Sequence, residues 1–172
     1  MMKPILMIIA PDQFRDEELF ETREVLESAG LSTVLASKQK GICKGKLGGE
    51  AVAEVALADV KASEYEAIVF VGGMGSEVYF KDPNAHDLAW EMYADGKIVS
   101  AICIAPVILA NAGLLKGKRA TVFPDGADEL KKGGATYTAE TVTVDGNFIT
   151  GNGPASSIKF AEAIVHQLEK QE

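Results

Sequence analysis

A single cysteine stands where a sulfur nucleophile could be held ready for reaction. Cys103 follows the apolar run Ile98–Ile102 and precedes Pro106 and the helix-forming residues 107–112. A short continuous apolar run is typical of a buried parallel strand, and proline suits the first turn of a helix. A turn between the two would place the sulfur above helix N–H groups and the positive dipole end, which favour a thiolate. The spacing therefore predicts a nucleophile elbow in which sulfur replaces the serine oxygen.

The same cysteine also fits a purely structural interpretation, because free cysteines are usually small, buried core residues. The sequence holds one other cysteine, Cys43, and both are expected to be thiols in a reducing compartment. His86 and His166 stand alone, without a Cys-x-x-Cys or His-Glu-x-x-His pattern. We therefore expect neither a disulfide nor a metal site.

Four segments are expected to surround the cysteine, because ligands of open α/β sheets bind outside the carboxyl ends of the strands. They are residues 12–18, 72–77, 103–104 and 151–154. A glycine turn at Gly72 and Gly73 would allow backbone N–H groups to approach a reacting atom. No Gly-Lys-Ser/Thr sequence follows this turn, so it is not predicted to bind nucleotide phosphates.

A carboxylate that assists the sulfur is expected from the first of these segments. Asp16, Glu17 and Glu18 lie at the predicted start of a helix, where the dipole stabilises negative charge. We interpret Asp16 and Glu17 as helix-end charges only. Glu18 is retained as the candidate catalytic acid.

The elements that must position these residues alternate between strand and helix. Strands are predicted at 5–10, 31–37, 67–71, 98–102, 119–123, 136–137, 142–144 and 147–150, and helices at 15–29, 84–94, 107–112, 128–132 and 158–169. Residues 11–14 are predicted to form a loop, residues 38–49 a loop or short hairpin, and Ser156 or Ser157 the cap of the last helix. The alternation predicts one α/β domain over residues 1–172, a flavodoxin-like three-layer sandwich with a mainly parallel sheet.

The charge balance limits the expected partners. The 172 residues carry a net charge of −8, whereas nucleic acids and anionic membranes bind basic faces. No long apolar stretch and no signal-peptide pattern occurs in the sequence. We expect a cytoplasmic protein that binds neither nucleic acid nor membrane.

Four separated motifs occur in a fixed order along the chain. They are the Asp-Glu-Glu-Leu that contains Glu18, the Gly72–Gly73 turn, the Ala-Ile-Cys-x-x-Pro around Cys103, and the Thr-Gly-Asn-Gly-Pro at 150–154. In this order they resemble the ThiJ/PfpI superfamily, the family of the Parkinson-disease protein deglycase and an archaeal intracellular protease. The resemblance extends from residue 5 to residue 168.

The resemblance implies a flavodoxin-like fold, a homodimer or higher homo-oligomer, and a reactive cysteine at Cys103 with no cofactor. It further implies an acid at Glu18 that is hydrogen-bonded to the sulfur. Backbone N–H groups of Gly73 and Ile104 would form the oxyanion pocket, a role that a glycine turn and a helix start also suit on physical grounds. The implied lining of the site consists of Gly72, Glu77, Phe123, Asn152, Gly153 and Pro154.

Two departures from the family pattern bear on the activity. Protease-like members have histidine directly after the cysteine, where this chain has Ile104, and deglycase-like members have a later histidine where this chain has Phe123. A Cys-His dyad is therefore not expected, and peptide hydrolysis would lack a proton donor for the leaving amine. Glu77 matches the position of an acid that protease-like members supply across a subunit interface.

The favoured hypothesis is an enzyme that acts on small reactive aldehydes, a glyoxalase-like or deglycase-like protein whose partner is a small electrophile. Cys103 would attack the carbonyl and Glu18 would shuttle the proton, in a small site lined by Ile104 and Phe123. The first alternative is a redox-sensing stress protein or chaperone that uses oxidation of Cys103. A cysteine protease or amidase is disfavoured by the missing histidine, and a binding module with an inert cysteine is the fourth interpretation.

Overall fold

The computed structural model describes residues 2–172. Within this range the strands are β1 (Ile5–Ile8), β2 (Asp12–Phe14), β3 (Thr33–Ser37), β4 (Gly41–Gly45), β5 (Glu50–Ala53), β6 (Val55–Ala56), β7 (Ala67–Phe70), β8 (Ile98–Ile102), β9 (Arg119–Ala120), β10 (Thr136–Tyr137), β11 (Val142–Asp145) and β12 (Phe148–Gly151). The α-helices are α1 (Asp16–Ser28), α2 (Pro83–Ala94), α3 (Pro106–Asn111), α4 (Ala127–Lys132) and α5 (Ser157–Gln171). Short 3-10 turns include 74–79, 124–126 and 154–156.

The central sheet has the strand order β11-β12-β8-β7-β1-β3-β6. All of its pairings are parallel except that of β11 with β12. This arrangement confirms the predicted flavodoxin-like fold with a mainly parallel sheet. Phe70 pairs with both Ile8 of β1 and Ala101 of β8, so the carboxyl ends of these three strands meet at one edge. The predicted site segments follow these ends, where the order of the strands reverses.

The sheet is buried on both faces, which explains why its strands are continuously apolar. Residues of α1 and α5 pack with one face, including Leu19, Phe160 and Ile164. Residues of α2, α3 and α4 pack with the other face, including Met92 and Ile108. A rigid parallel sheet between two helical layers therefore holds the edge that carries the site.

A second, smaller sheet covers part of this edge. Strands β4 and β5 form an antiparallel hairpin, and β2 pairs in parallel with β4. The predicted hairpin at 38–49 is thus present, but its second strand begins only at Glu50. The prediction of a loop at 11–14 was wrong, because Asp12–Phe14 pairs with the hairpin.

Two further predictions were wrong at element ends. Strand 119–123 is only Arg119–Ala120, because the following residues turn toward the cysteine and the N–H of Phe123 donates to the carbonyl of Cys103. Neither predicted serine caps α5 with its side chain. Ser156 Oγ donates to Asn152 Oδ1, and Ser157 Oγ donates to the carbonyl of Pro154.

None of the helices in the described part of the chain combines the length and the apolarity that a membrane crossing requires.

Candidate active site

Cys103 lies on the turn between β8 and α3 in a strained backbone conformation. Its φ is 64°, in the left-handed region that costs a non-glycine residue about 1–3 kcal/mol. Two hydrogen bonds hold it there: its N–H donates to the carbonyl of Gly151 over 2.9 Å, and the N–H of Phe123 donates to its carbonyl over 2.7 Å. The side chain is half-buried. Neighbouring strands thus present the sulfur at the sheet edge.

Glu18 lies beside this turn, fully buried on the first turns of α1. Burial raises the pKa of its carboxyl to about 8, while the Cys103 thiol, the Gly72 N–H and the Arg15 charge act to lower it. Within residues 2–172 neither carboxyl oxygen of Glu18 has a hydrogen-bond partner. The Cys103 thiol and the Gly72 N–H lie near this carboxyl but do not form hydrogen bonds of good geometry with it. A buried carboxyl without partners favours its protonated form.

The pKa of Cys103 is raised as well, to about 12. Burial is the main cause, followed by the charge and the close approach of Glu18, while the N–H groups of Ile104 and Gly73 lower the pKa. The expectation that the helix start favours a thiolate was therefore wrong, because the effect of burial on the pKa of Cys103 outweighs the effect of the N–H groups. Since the Glu18 charge contributes to the rise, the thiol and the carboxyl titrate as one coupled pair.

The glycine turn after β7 fits closely between the acid and the cysteine. A methyl group on Gly72 would lie 2.5 Å from Oε1 of Glu18 and 2.6 Å from Cβ of Cys103. Gly73 has a φ of 102°, and a methyl group there would lie 2.5 Å from the backbone nitrogen of Arg15. That nitrogen donates to the carbonyl of Gly72 over 3.0 Å. Only glycine allows this contact between the turn, α1 and the cysteine.

A cleft of about 620 Å³ opens over the sulfur. Of the predicted site residues, it is lined by Gly73, Glu77, Cys103, Ile104, Phe123 and Pro154. Its volume is that of a typical ligand pocket, so the expectation of a small site was wrong. Gly72, Asn152 and Gly153 are not part of the lining. Asn152 instead supports the last glycine turn, because its N–H donates to the carbonyl of Thr141.

Five residues of the lining were not singled out from the sequence, namely Arg15, Lys46, Met74, Phe80 and Asp125, although Arg15 and Met74 lie within the expected segments 12–18 and 72–77. Arg15 directly precedes the acidic run, so its nearness could have been suspected. Its guanidinium forms a bidentate pair with Glu17 at 2.9 and 3.0 Å, which lowers the pKa of that carboxyl. Glu17 therefore holds Arg15, rather than serving only as a helix-end charge.

The acid Asp16 also has a structural role that the sequence did not reveal. It is buried, and its carboxylate accepts hydrogen bonds from the N–H groups of Leu47 at 2.9 Å and Gly49 at 2.8 Å. The interpretation of Asp16 as a helix-end charge alone was wrong. It fastens the hairpin tip to the start of α1.

Neither histidine approaches the sulfur. His86 Nε2 is 2.9 Å from the carbonyl oxygen of Phe80, and His166 lies on the exposed side of α5, outside the cleft lining. No group of three metal-ligating side chains is close enough to hold an ion in the range that the structure describes. Glu18 is thus the buried acid next to Cys103.

The sequence profile of the DJ-1/PfpI family matches residues 3–167. The chain belongs to the DJ-1/PfpI family. In agreement with this, the crystal structure of a ThiJ/PfpI domain protein from Brachyspira murdochii has a TM-score of 0.96 and 37% identity, with 98% of each chain covered.

Three relatives from this family are similar over nearly the whole chain. MJ0967 of Methanocaldococcus jannaschii, an uncharacterized protein, is 47% identical over 96% of this chain and 82% of its own length. Deglycase PYRAB04690 of Pyrococcus abyssi is 31% identical, over 95% and 99% respectively. The glutathione-independent glyoxalase DJR-1.2 of Caenorhabditis elegans is 29% identical, over 99% and 91% respectively.

Proposed function

We propose that this protein is a cofactor-free enzyme that converts 2-oxoaldehydes into 2-hydroxy acids, with Cys103 as nucleophile and Glu18 as proton shuttle. The observation that carries the proposal is the fully buried, unpaired carboxyl of Glu18 beside the thiol. Burial brings its pKa to about 8, close to the pH at which a general acid and base must exchange protons. The deglycase and glyoxalase names of two relatives support the same substrate class.

The reaction begins when Sγ of Cys103 adds to the aldehyde carbon of the substrate. The ionised form of Glu18, which a pKa of about 8 makes available near that pH, accepts the thiol proton and passes it to the carbonyl oxygen, which gives a hemithioacetal and restores the carboxylate. The N–H groups of Gly73 and Ile104 act on the thiol and are therefore close enough to stabilise an oxyanion at the same place. Because the pKa of the thiol is raised, its proton leaves only as the new bond forms.

The second half of the reaction moves a proton between two carbons. The Glu18 carboxylate removes the hydrogen of the former aldehyde carbon as a proton, which gives an enediolate, and the resulting carboxylic acid returns this proton to the neighbouring carbon. The hydroxyl proton of the hemithioacetal moves to the oxygen of that neighbouring carbon, so the former aldehyde carbon becomes the thioester carbonyl. The product is a thioester of the 2-hydroxy acid, which water hydrolyses to release the acid and restore the thiol. One 2-oxoaldehyde and one water give one 2-hydroxy acid, so no external oxidant or reductant is needed.

The test is the formation of lactate from methylglyoxal by the purified protein. We expect Cys103→Ser and Glu18→Gln each to lose at least about 100-fold in kcat/KM. The matched controls are Cys43→Ser and Thr22→Val, because Thr22 is also fully buried and unpaired on α1 but lies one turn beyond Glu18. Both controls should retain the activity.

Two other results would contradict the proposal. No lactate above the Cys103→Ser background would exclude this activity. If such an inactive protein showed peroxide oxidation at Cys103 ahead of Cys43 by mass spectrometry, the redox-sensing alternative would replace it. A peptidase activity is not proposed, since no histidine lines the cleft in residues 2–172.

A further inference from the structure

The tip of the hairpin places one lysine in the cysteine cleft. Lys46 lies in the turn between β4 and β5 and lines the same cleft as Cys103. Across residues 2–172, no carboxylate oxygen lies within 4.0 Å of its amine. Arg15, the other cation of the lining, is already paired with Glu17. Lys46 is therefore the cleft cation whose charge is left for a ligand.

The backbone at Lys46 is held in place by the chain around it, whereas its side chain is exposed. The N–H of Lys46 donates to the carbonyl of Phe14 over 2.9 Å, directly before the start of α1. On its far side, Leu47 and Gly49 donate to the buried carboxylate of Asp16. A methyl group on Gly49 would lie 2.5 Å from Oδ2 of Asp16, so the tip has no room for a side chain there. The backbone that carries Lys46 is thus held against α1, next to the sheet edge.

The other residues of the cleft lining determine how the charge of Lys46 acts on a bound ligand. Its apolar lining includes Met74, Phe80, Ile104 and Phe123, and an apolar wall strengthens the attraction between a cation and a bound anion. The carboxylates of Glu77 and Asp125 also line the cleft, and both side chains are exposed. They would repel an anion, so its binding depends on a cation that faces the same space.

We propose that this cleft selects reactive carbonyl compounds that carry an anionic group, and that Lys46 is the specificity residue that binds this group. The ligand class is a 2-oxoaldehyde with a carboxylate or a phosphate ester on its far end. Asp16 is a positioning residue, which acts by holding the hairpin tip. The identity of the electrophile rests on the proposed function, whereas the preference of the cleft for an anion does not.

The first experiment measures this preference without any turnover. Iodoacetate and iodoacetamide both alkylate a thiol with loss of iodide, and they differ in a carboxylate against a neutral amide. We expect Lys46→Gln to lower the ratio of iodoacetate to iodoacetamide rates at Cys103 by about three- to tenfold, as followed by mass spectrometry. Lys46→Arg should retain the ratio, and about 0.5 M salt should reduce it in the unmodified protein.

A matched control separates a local effect from the overall surface charge. Lys44 is exposed on the same hairpin but lies outside the cleft lining. We expect Lys44→Gln to leave the rate ratio unchanged. We also expect Asp16→Ala to lower the ratio although Lys46 is still present, and Asp16→Asn to restore part of it through its remaining acceptor. Circular dichroism establishes that these variants are folded.

The second experiment measures the preference for an anionic group in the catalysed reaction. Phenylglyoxal and 4-carboxyphenylglyoxal are a neutral and an anionic 2-oxoaldehyde of similar shape. Lys46→Gln should lower the ratio of kcat/KM for the anionic compound to kcat/KM for the neutral compound by a similar factor.

The two experiments distinguish the subsite from the reaction. If the alkylation ratio falls but neither glyoxal is converted, the proposed function fails and the Lys46 subsite stands. If Lys46→Gln changes neither ratio, or if Lys44→Gln lowers the ratio equally, the proposal is overturned.

Discussion

The turn at Cys103 and the hairpin at Cys43 each hold one thiol of this protein, in opposite settings. Cys43 is 2% exposed in the regular strand β4, and its Sγ faces the carbonyl of Gly41 at 3.8 Å. Cys103 has a left-handed backbone, an open cleft above it and a buried acid beside it. The difference shows that backbone strain and a titratable neighbour, rather than the thiol itself, make one cysteine a candidate nucleophile.

The largest expected effect that distinguishes the two regions comes from replacing a glycine in each of them by alanine. Gly72→Ala would press a methyl group against Glu18, Cys103 and the carbonyl of Ile102, at 2.5, 2.6 and 2.7 Å. We expect it to reduce kcat/KM for methylglyoxal by about 100-fold and to lower the free energy of unfolding by about 1–3 kcal/mol. Urea unfolding and the lactate assay measure the two effects.

Gly48→Ala in the hairpin tip is the control for this change. Gly48 has a φ of 96°, and a methyl group added there would have no atom within 4 Å, so only backbone strain of about 1 kcal/mol is expected. Equal losses of activity in both variants would show that the close fit at Gly72 has no special importance.

An effect of intermediate size is expected in the pH dependence of stability, and we expect the ionisation of Glu18 to dominate it. Burial raises the pKa of Glu18 from an ordinary 4.5 to about 8, so the folded state binds more protons than the unfolded state between these values. The free energy of unfolding therefore falls as the pH rises through this window, by a few kcal/mol in order of magnitude. Below pH 4.5 the carboxyl of Glu18 is protonated in both the folded and the unfolded state, so the stability that it contributes is fully present there.

Glu18→Gln should remove most of this slope, because an amide does not ionise. We expect the variant to be more stable than the unmodified protein at about pH 8.5, and the advantage to shrink as the pH falls toward about 4.5. Urea unfolding across this pH range measures the difference. Asp16→Asn, which changes the carboxylate that accepts hydrogen bonds from the hairpin tip, is the control variant. If the pH dependence of the free energy of unfolding persisted in Glu18→Gln, the assignment of the raised pKa to Glu18 would be contradicted.

The sheet and the turn at Cys103 could be predicted because local sequence determines them. The runs 67–71 and 98–102 are continuously apolar, as strands buried on both faces must be, and the observed strands are Ala67–Phe70 and Ile98–Ile102. The glycine pair at 72–73 marked the close approach at the strand end. These features depend on neighbours in the chain.

The position of Lys46 in the lining of the cleft could not be predicted, because it depends on contacts between distant segments. Asp16 and Leu47 are 31 residues apart, and nothing in a lysine- and glycine-rich stretch indicates where its tip will dock. The raised pKa of Cys103 was missed for a related reason. The N–H groups at the turn are a local feature, whereas the burial that outweighs them results from the whole fold.

The smallest expected effects are on stability, and they have opposite signs in the two regions. Cys43→Ala removes a buried sulfur from the hairpin, which should lower the free energy of unfolding by about 1 kcal/mol and leave lactate formation unchanged. Cys103→Gly removes a side chain from a left-handed position, which should raise the free energy of unfolding by about 1 kcal/mol while abolishing activity. Paired urea titrations near neutral pH resolve such differences. If both variants lost stability equally, the strain at Cys103 would not be a cost that the fold bears for reactivity, and the contrast between the two thiols would reduce to burial.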